Sequence, residues 1–202
     1  MKITSIKQQV HRQDRYAISI DGKYAFSFGE SELLNNGLRL GQELSAEEVS
    51  RLKDTAQLDK LYDRALSYIA LRQRSRWELE QYFKRKKSPT PLIELILNKL
   101  SVNGYLDDQK FAQAWVNNRH LLKPISHRQL IQELRQKHVP SEIIDQVLAQ
   151  DETDETEVLK ELVAKKRRQT RYRDDLKLMQ YLSRQGYNYG DIKEAIQKKS
   201  EN

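Results

Sequence analysis

The sequence predicts a mainly α-helical chain of three tandem three-helix repeats forming an elongated rod, preceded by a small N-terminal β-hairpin and helix segment. Three observations lead there. The 202 residues include only 7 Gly and 4 Pro while 32% are charged, a profile of helices joined by short turns rather than of a sandwich or a doubly wound sheet. One amphipathic pattern recurs along the chain: Leu79-x-Gln81-x-Phe83, then Leu130-x-Gln132-x-Leu134, then Leu178-x-Gln180-x-Leu182. Only residues 16–28 alternate with period two instead.

That alternation defines the first element. In "RYAISIDGKYAFSF", Tyr16, Ile18 and Ile20 alternate with small or polar residues, and Tyr24, Phe26 and Phe28 do so again. Asp21-Gly22 between them tolerates positive φ at both central positions of a type I′ turn, so the segment reads as a hairpin. A hairpin alone is marginal, and "KITSIKQQV" before it is placed to pair as a third strand. "ESELLNNG" then reads as a short helix stopped at Gly37. Ser45 with Glu48 has capping-box spacing and starts another helix, "AEEVSRLKDTAQ".

From residue 58 onward the spacing is helical throughout. A shift of 51 positions lays Ser75 on Ser126, Leu79 on Leu130, Gln81 on Gln132, Lys86 on Lys137, Pro89 on Pro140, Ile93 on Ile144 and Leu97 on Leu148. A further 48 lays Leu130 on Leu178, Gln132 on Gln180, Leu134 on Leu182 and Ile144 on Ile192. Leu79, Tyr82 and Phe83 form one apolar stripe, and Ile93, Ile96, Leu97 and Leu100 form another one helix later. Pro89, Pro140 and Gly186-Tyr187 fall where the helices between them must stop. A preceding helix completes each unit, over 59–71, 107–121 and 154–168, with Asp107 and either Thr153 or Asp154 as N-caps of the last two. The expected divisions are 1–57, 58–105, 106–150 and 151–202.

Composition narrows function mainly by exclusion. No segment approaches the ~18 consecutive apolar residues of a membrane span, and "MKITSIKQQVHRQ" lacks the apolar centre of a signal peptide, so a cytoplasmic location is expected. With no cysteine there is neither disulfide nor thiolate chemistry. His11, His120, His127 and His138 lack metal-ligand spacing, and no Gly-rich phosphate loop is present. Asp107-Asp108 could suggest a metal-dependent nuclease, but no further acid or histidine clusters with them and helix capping accounts for Asp107. Neither a cofactor nor an enzymatic activity is expected.

Charge points to a polyanionic or acidic partner. The net charge is +7, and +5 of it falls in residues 58–105, against 0 in 1–57 and +1 in each of 106–150 and 151–202.

"ALSYIALRQRSRWELEQYF", "GYLDDQKFAQAWVNNR" and "RQLIQELRQKHVPSEIIDQVL" resemble the RecX family, bacterial regulators of the RecA recombinase. Gly104-Tyr105-Leu106-Asp107-Asp108 with Phe111-Ala112, Trp115 and Arg119 is the most specific part, and the hairpin region resembles the extra segment of longer members. Where family members often carry Gly-Pro-Arg, this chain has Ser126-His127-Arg128, and Ser126 can still cap the helix. The resemblance implies three tandem three-helix repeats and a non-enzymatic regulator acting in DNA repair, recombination and the SOS response; a monomer is expected because an asymmetric rod with a large repeating partner needs no self-association. The implied action is to lie along the groove of the RecA filament on single-stranded DNA. There it would modulate, mainly inhibit, strand exchange, ATP hydrolysis and coprotease activity, with weaker binding to DNA alone.

Candidate contact residues for RecA or DNA follow from the basic clusters. Arg72, Arg74 and Arg76 precede Lys84, Arg85, Lys86 and Lys87 on the next helix and its turn; Arg119 and Arg128, with Arg135 and Lys137, form a weaker set in the middle repeat. Lys165, Lys166, Arg167 and Arg168, followed by Arg171 and Arg173, end a helix that begins with acids, an arrangement that the helix dipole alone also favours. Trp77 opens a helix among arginines and is the best candidate to stack on bases, with Tyr105 a further one, whereas Trp115 lies i+4 from Phe111 and suits a core. The alternative function is direct duplex-DNA binding by helix-turn-helix-like repeats. Concentration of charge in one repeat, rather than on equivalent helices of all three, disfavours it.

Overall fold

The computed structural model describes residues 1–197. They form a three-stranded sheet followed by ten helices, and they divide into two compact units. One unit comprises Met1–Arg72 with Phe83–Tyr105, and the other Gln73–Tyr82 with the described residues from Leu106 onward.

In the first unit, strands β1 (Ile3–Gln8), β2 (Arg15–Ile20) and β3 (Lys23–Gly29) form an antiparallel sheet in sequence order. Asp21 and Gly22 turn the hairpin with φ of 48° and 79°, as the sequence predicts. Ile18, Ile20, Phe26 and Phe28 face inward onto Leu44, Val49, Leu52 and Ala56. Tyr24 departs from the expected alternation and is 65% exposed. The pairing shifts from Ile18↔Phe26 to Ser19↔Tyr24, so an extra residue on β3 forms a bulge that turns Tyr24 to the outer face.

Helix α1 (Glu30–Asn35) ends before Gly37, and α2 (Ala46–Ala70) starts with the complete Ser45/Glu48 capping box. The two helices expected over 46–57 and 59–71 are one. Gln57-Leu58-Asp59 contains no helix breaker, and Asp59 is buried against Arg15 instead of capping a new helix. Arg15, 2% exposed, bonds Asp59 at 2.9 Å, Asp63, and the Ser27 carbonyl at 2.9 Å, while Gly29 N–H donates to Asp59 at 2.8 Å. Burial, together with the neighbouring Asp59, raises the Asp63 carboxyl above its ordinary range despite Arg15. This ion cluster fixes the sheet to α2. Helix α3 (Arg76–Arg85) leads to α4 (Thr90–Val102), whose Ile93, Ile96, Leu97 and Leu100 are buried. Asn103, at the end of α4, donates to the Tyr62 hydroxyl on α2 at 2.8 Å.

The second unit repeats one three-helix plan. Helices α5 (Asp108–Leu122), α6 (His127–Gln136) and α7 (Ser141–Ala149) enclose Phe111, Ala112, Val116, Leu130, Leu134, Ile144 and Val147. Helices α8 (Glu155–Arg167), α9 (Asp175–Arg184) and α10 (Tyr189–Gln197) enclose Leu159, Leu162, Val163, Leu178, Leu182, Tyr187 and Ile192. Asp107, Ser126, Asp154 and Asp174 accept hydrogen bonds from the first turns that they precede. Asp154, rather than Thr153, is therefore the cap of α8, and Thr153 instead bonds Asp151.

The turns after α3, α6 and α9 are built alike. Lys87, His138 and Gly186, equivalent under the 51- and 48-residue shifts, have φ of 55°, 54° and 91°.

Candidate functional site: repeat junctions and basic faces

Within the second unit, the turn of each repeat seats on the start of the preceding second helix. At the first junction Ser75 is fully buried; its Oγ accepts from Glu78 N–H at 3.2 Å and donates to the Lys137 carbonyl at 3.0 Å. Lys137 Nζ pairs with the buried Glu78 at 2.8 Å, and Trp77 stacks on His138 with ring centroids 4.5 Å apart. Asp108 accepts from Arg76 N–H at 2.7 Å. Burial raises its carboxyl above the ordinary range, against that bond and the Arg76 charge. The carboxylate pair of Asp107 and Asp108 thus caps two helices.

The second junction follows the same plan with different side chains. Ser126 N–H donates to the Gln185 carbonyl at 3.0 Å, Ser126 Oγ caps Gln129 N–H at 3.1 Å, and Glu155 faces His127 N–H at 3.4 Å. Gly186 lies so close that a Cβ there would stand 2.3 Å from Ser126 Oγ. Serines 75 and 126 are therefore buried contact points between repeats as well as caps.

The predicted contact residues fall into distinct environments. Arg72 is exposed, whereas Arg74, Arg76 and Trp77 are half-buried, and Trp77 has one ring face taken by His138. Lys84, Arg85, Lys86 and Lys87 are exposed at the end of α3 and in its turn. Arg128 is exposed on α6. Arg119 is turned inward: its Nε donates to Glu133 at 2.7 Å and its guanidinium lies 5.0 Å from the Trp115 ring centroid. Trp115 also donates to Glu133, at 2.8 Å, and packs on Phe111, so this aromatic belongs to the interior as expected.

Lys165 and Arg168 are exposed, but their neighbours hold the chain together. Lys166 lies 4.5 Å from the Tyr181 ring centroid, and Arg167 bonds the Tyr172 and Arg173 carbonyls and the Asp175 carboxylate. These contacts fix the short 3₁₀ turn Thr170–Tyr172 before α9.

One polar cluster has no counterpart among the predicted sites. Asp151 Oδ2 lies 2.8 Å from His120 Nε2 and 3.2 Å from His127 Nε2, and His127 Nδ1 lies 3.3 Å from Glu155. Burial would raise Asp151, but hydrogen bonds from Thr153 and His120 outweigh it and hold the carboxyl below its ordinary range. Among the described residues, no group of three or more His, Asp or Glu is arranged to hold a metal, and no helix is long and apolar enough to cross a membrane.

A small sheet followed by helical repeats that interlock through their turns and bear basic side chains on their surfaces defines a tandem helical-repeat protein. Residues 1–45 match the regulatory protein RecX N-terminal domain, and residues 107–148 match the second three-helix domain of RecX. The chain is 33% identical to regulatory protein RecX of Halalkalibacterium halodurans over 203 residues, covering 96% of this chain and 76% of the relative. It is 29% identical to that of Bacillus subtilis over 199 residues, covering 96% and 75%. A crystal structure of a regulatory protein RecX superposes with a TM-score of 0.72 at 30% identity, covering 95% of this chain and 97% of that one. RecX from Lactobacillus salivarius, 23% identical, shares the fold with a TM-score of 0.58 over 70% of this chain and 95% of its own. The chain belongs to the RecX family of regulatory proteins.

Proposed function

We propose that this chain is a non-enzymatic, cytoplasmic regulator that binds the RecA filament on single-stranded DNA as a monomer. It lies along the filament groove and modulates, mainly inhibits, recombinase, ATPase and coprotease activities. The observation that carries this reading is RecX family membership across 96% of the chain, with relatives named as regulatory proteins. Tandem repeats suit such a partner: once one repeat docks, the next binds at high effective concentration, so an assembled filament is preferred over a free subunit. Arg72 and the exposed Lys84–Lys87 group, in the segment of net charge +5, supply cations for DNA phosphates or acidic protein surface.

The test is RecA's single-strand-dependent ATP hydrolysis titrated with this protein, beside its binding to the same DNA alone. Suppression well below stoichiometric amounts, with weak binding to bare DNA, supports filament regulation. Inhibition only when the protein coats the DNA would replace it with competition for phosphates. Charge reversal of the exposed Arg85 and Lys86 to Glu weakens filament binding while the helical circular dichroism persists; unchanged binding would remove that face from the interface.

A further inference from the structure

We infer that the outward faces of α6 and α9 are two copies of one docking surface, each receiving an acidic side chain beside an apolar one on successive subunits of a protein polymer. The inference rests on the filament reading above; it adds the glutamines and their apolar floors to Arg128 and Arg135, the weaker basic set on α6, and assigns a second surface on α9. It begins with the recurring glutamine. Leu130 and Leu134 on α6, and Leu178 and Leu182 on α9, are fully buried, so the repeat of these leucines is explained by packing. Gln132 and Gln180 between them are exposed, and packing makes no demand there. The same residue nevertheless stands at both places.

Around each glutamine lies a shallow groove. That on α6 is lined by Arg128, Ile131, Gln132, Arg135 and Gln136; that on α9 by Leu176, Met179, Gln180, Ser183, Arg184 and Tyr189. The 48-residue shift lays the first five positions of one on those of the other. Two features are equivalent in both grooves, a half-buried apolar floor, Ile131 or Met179, and the exposed glutamine; each groove also has an exposed arginine on the same helix face, three or four residues after the glutamine, although under the shift Arg135 falls on Ser183 and Arg184 on Gln136. On α3 the same spacing relates Gln81 to Lys84 and Arg85. No carboxylate lines either groove. An amide and a guanidinium together form a donor pair for a carboxylate, and the floor accepts an adjacent apolar group.

Two considerations favour protein over nucleic acid. The segments 106–150 and 151–202 each carry only +1 against +5 in 58–105, so phosphate neutralisation is better supplied by that earlier segment than by the grooves of α6 and α9. The α6 groove also lacks an aromatic ring, so base stacking is not among the shared features. A surface repeated along the chain suits a ligand that itself repeats, since two weak sites then act together.

Gln132→Ala and Gln180→Ala, singly and together, test this on the full chain. Both sites are exposed and helical, so circular dichroism and melting temperature should match wild type. Affinity is measured for RecA filaments on single-stranded DNA and, in parallel, for the bare DNA. The expected result is a loss of about tenfold for each variant and about a hundredfold for the pair on filaments, with bare-DNA binding unchanged. Unchanged filament affinity in the double variant, while wild type binds and inhibits, overturns this inference and leaves the filament reading standing. An equal loss on filaments and bare DNA makes nucleic acid the occupant and overturns it too. Failure of wild type to bind filaments at all refutes the functional reading, and this one with it.

Discussion

Gly186→Ala probes the repeat junction at its tightest point. The new Cβ would stand 2.3 Å from Ser126 Oγ, 2.9 Å from Gln129 Cβ and 3.3 Å from Gln129 N, and the residue would have to keep φ at 91°. The left-handed backbone costs an L-residue about 1–2 kcal/mol, and forcing a methyl into a packed site adds about 1–3 kcal/mol. The sum, about 2–5 kcal/mol, is a large share of a small module's stability. Gly104→Ala is the control: its φ is 73°, and nothing lies within 4 Å of a Cβ there, so only the backbone cost applies. Both variants would be unfolded in urea and followed by circular dichroism. A Gly186→Ala loss exceeding that of Gly104→Ala by about 1–3 kcal/mol is expected. Ser126→Gly in the Gly186→Ala background removes the closest overlap and should recover part of the excess. Equal losses in the two alanine variants would refute the seating of the third repeat's turn on the start of α6.

Other consequences of the packing can be checked separately. Leu130→Ala, at a fully buried site, should cost about 2–5 kcal/mol in the same denaturation assay, and a near-zero loss would remove it from the core. Arg15→Ala leaves Asp59 and the partly exposed Asp63 beneath the sheet without their guanidinium, for an expected loss of about 3–5 kcal/mol; a surface-like loss would mean that the sheet is not held this way. Asp151 has a folded-state pKa below its unfolded value, so its stabilisation is present above the unfolded value and lost as pH falls through the folded one. The melting-temperature advantage of wild type over Asp151→Asn should therefore be full near about pH 6 and shrink toward about pH 3, and an advantage that grew on acidification would contradict this assignment.

The parts of the molecule visible in the sequence are those set by local chemistry. Asp21-Gly22, the Ser45/Glu48 box and the caps at Asp107 and Ser126 each depend on a few neighbouring residues, and all form as read. Internal repetition also marks Leu130, Leu134, Leu178 and Leu182 as core residues, and all four are fully buried. What escaped depends on partners distant in sequence. Asp59 lies buried within one continuous helix, paired with Arg15 over forty residues earlier. Tyr24 is turned outward by a bulge that alternation cannot register. Arg119 looks like any surface cation until Glu133 and Trp115 are seen beside it, and His120 and His127 lack metal spacing yet meet at Asp151. The basic clusters were legible as charge, but not which of their members are already engaged within the chain, as Arg167 is.

The junctions also give the chain a direction in time. At the start of α3, Arg76 N–H donates to Asp108 and the Ser75 hydroxyl to the Lys137 carbonyl, and at the start of α6, Ser126 N–H donates to the Gln185 carbonyl and His127 N–H to Glu155, so α3 and α6 are completed by residues synthesised after them. Synthesis runs forward while completion runs backward. A ribosome that has released only the first two repeats holds a middle repeat whose α6 still presents the buried Ser126 amide to water. The arrival of Gln185 and Gly186 then closes it. Order at α3 and α6 is handed back from one repeat to the one before.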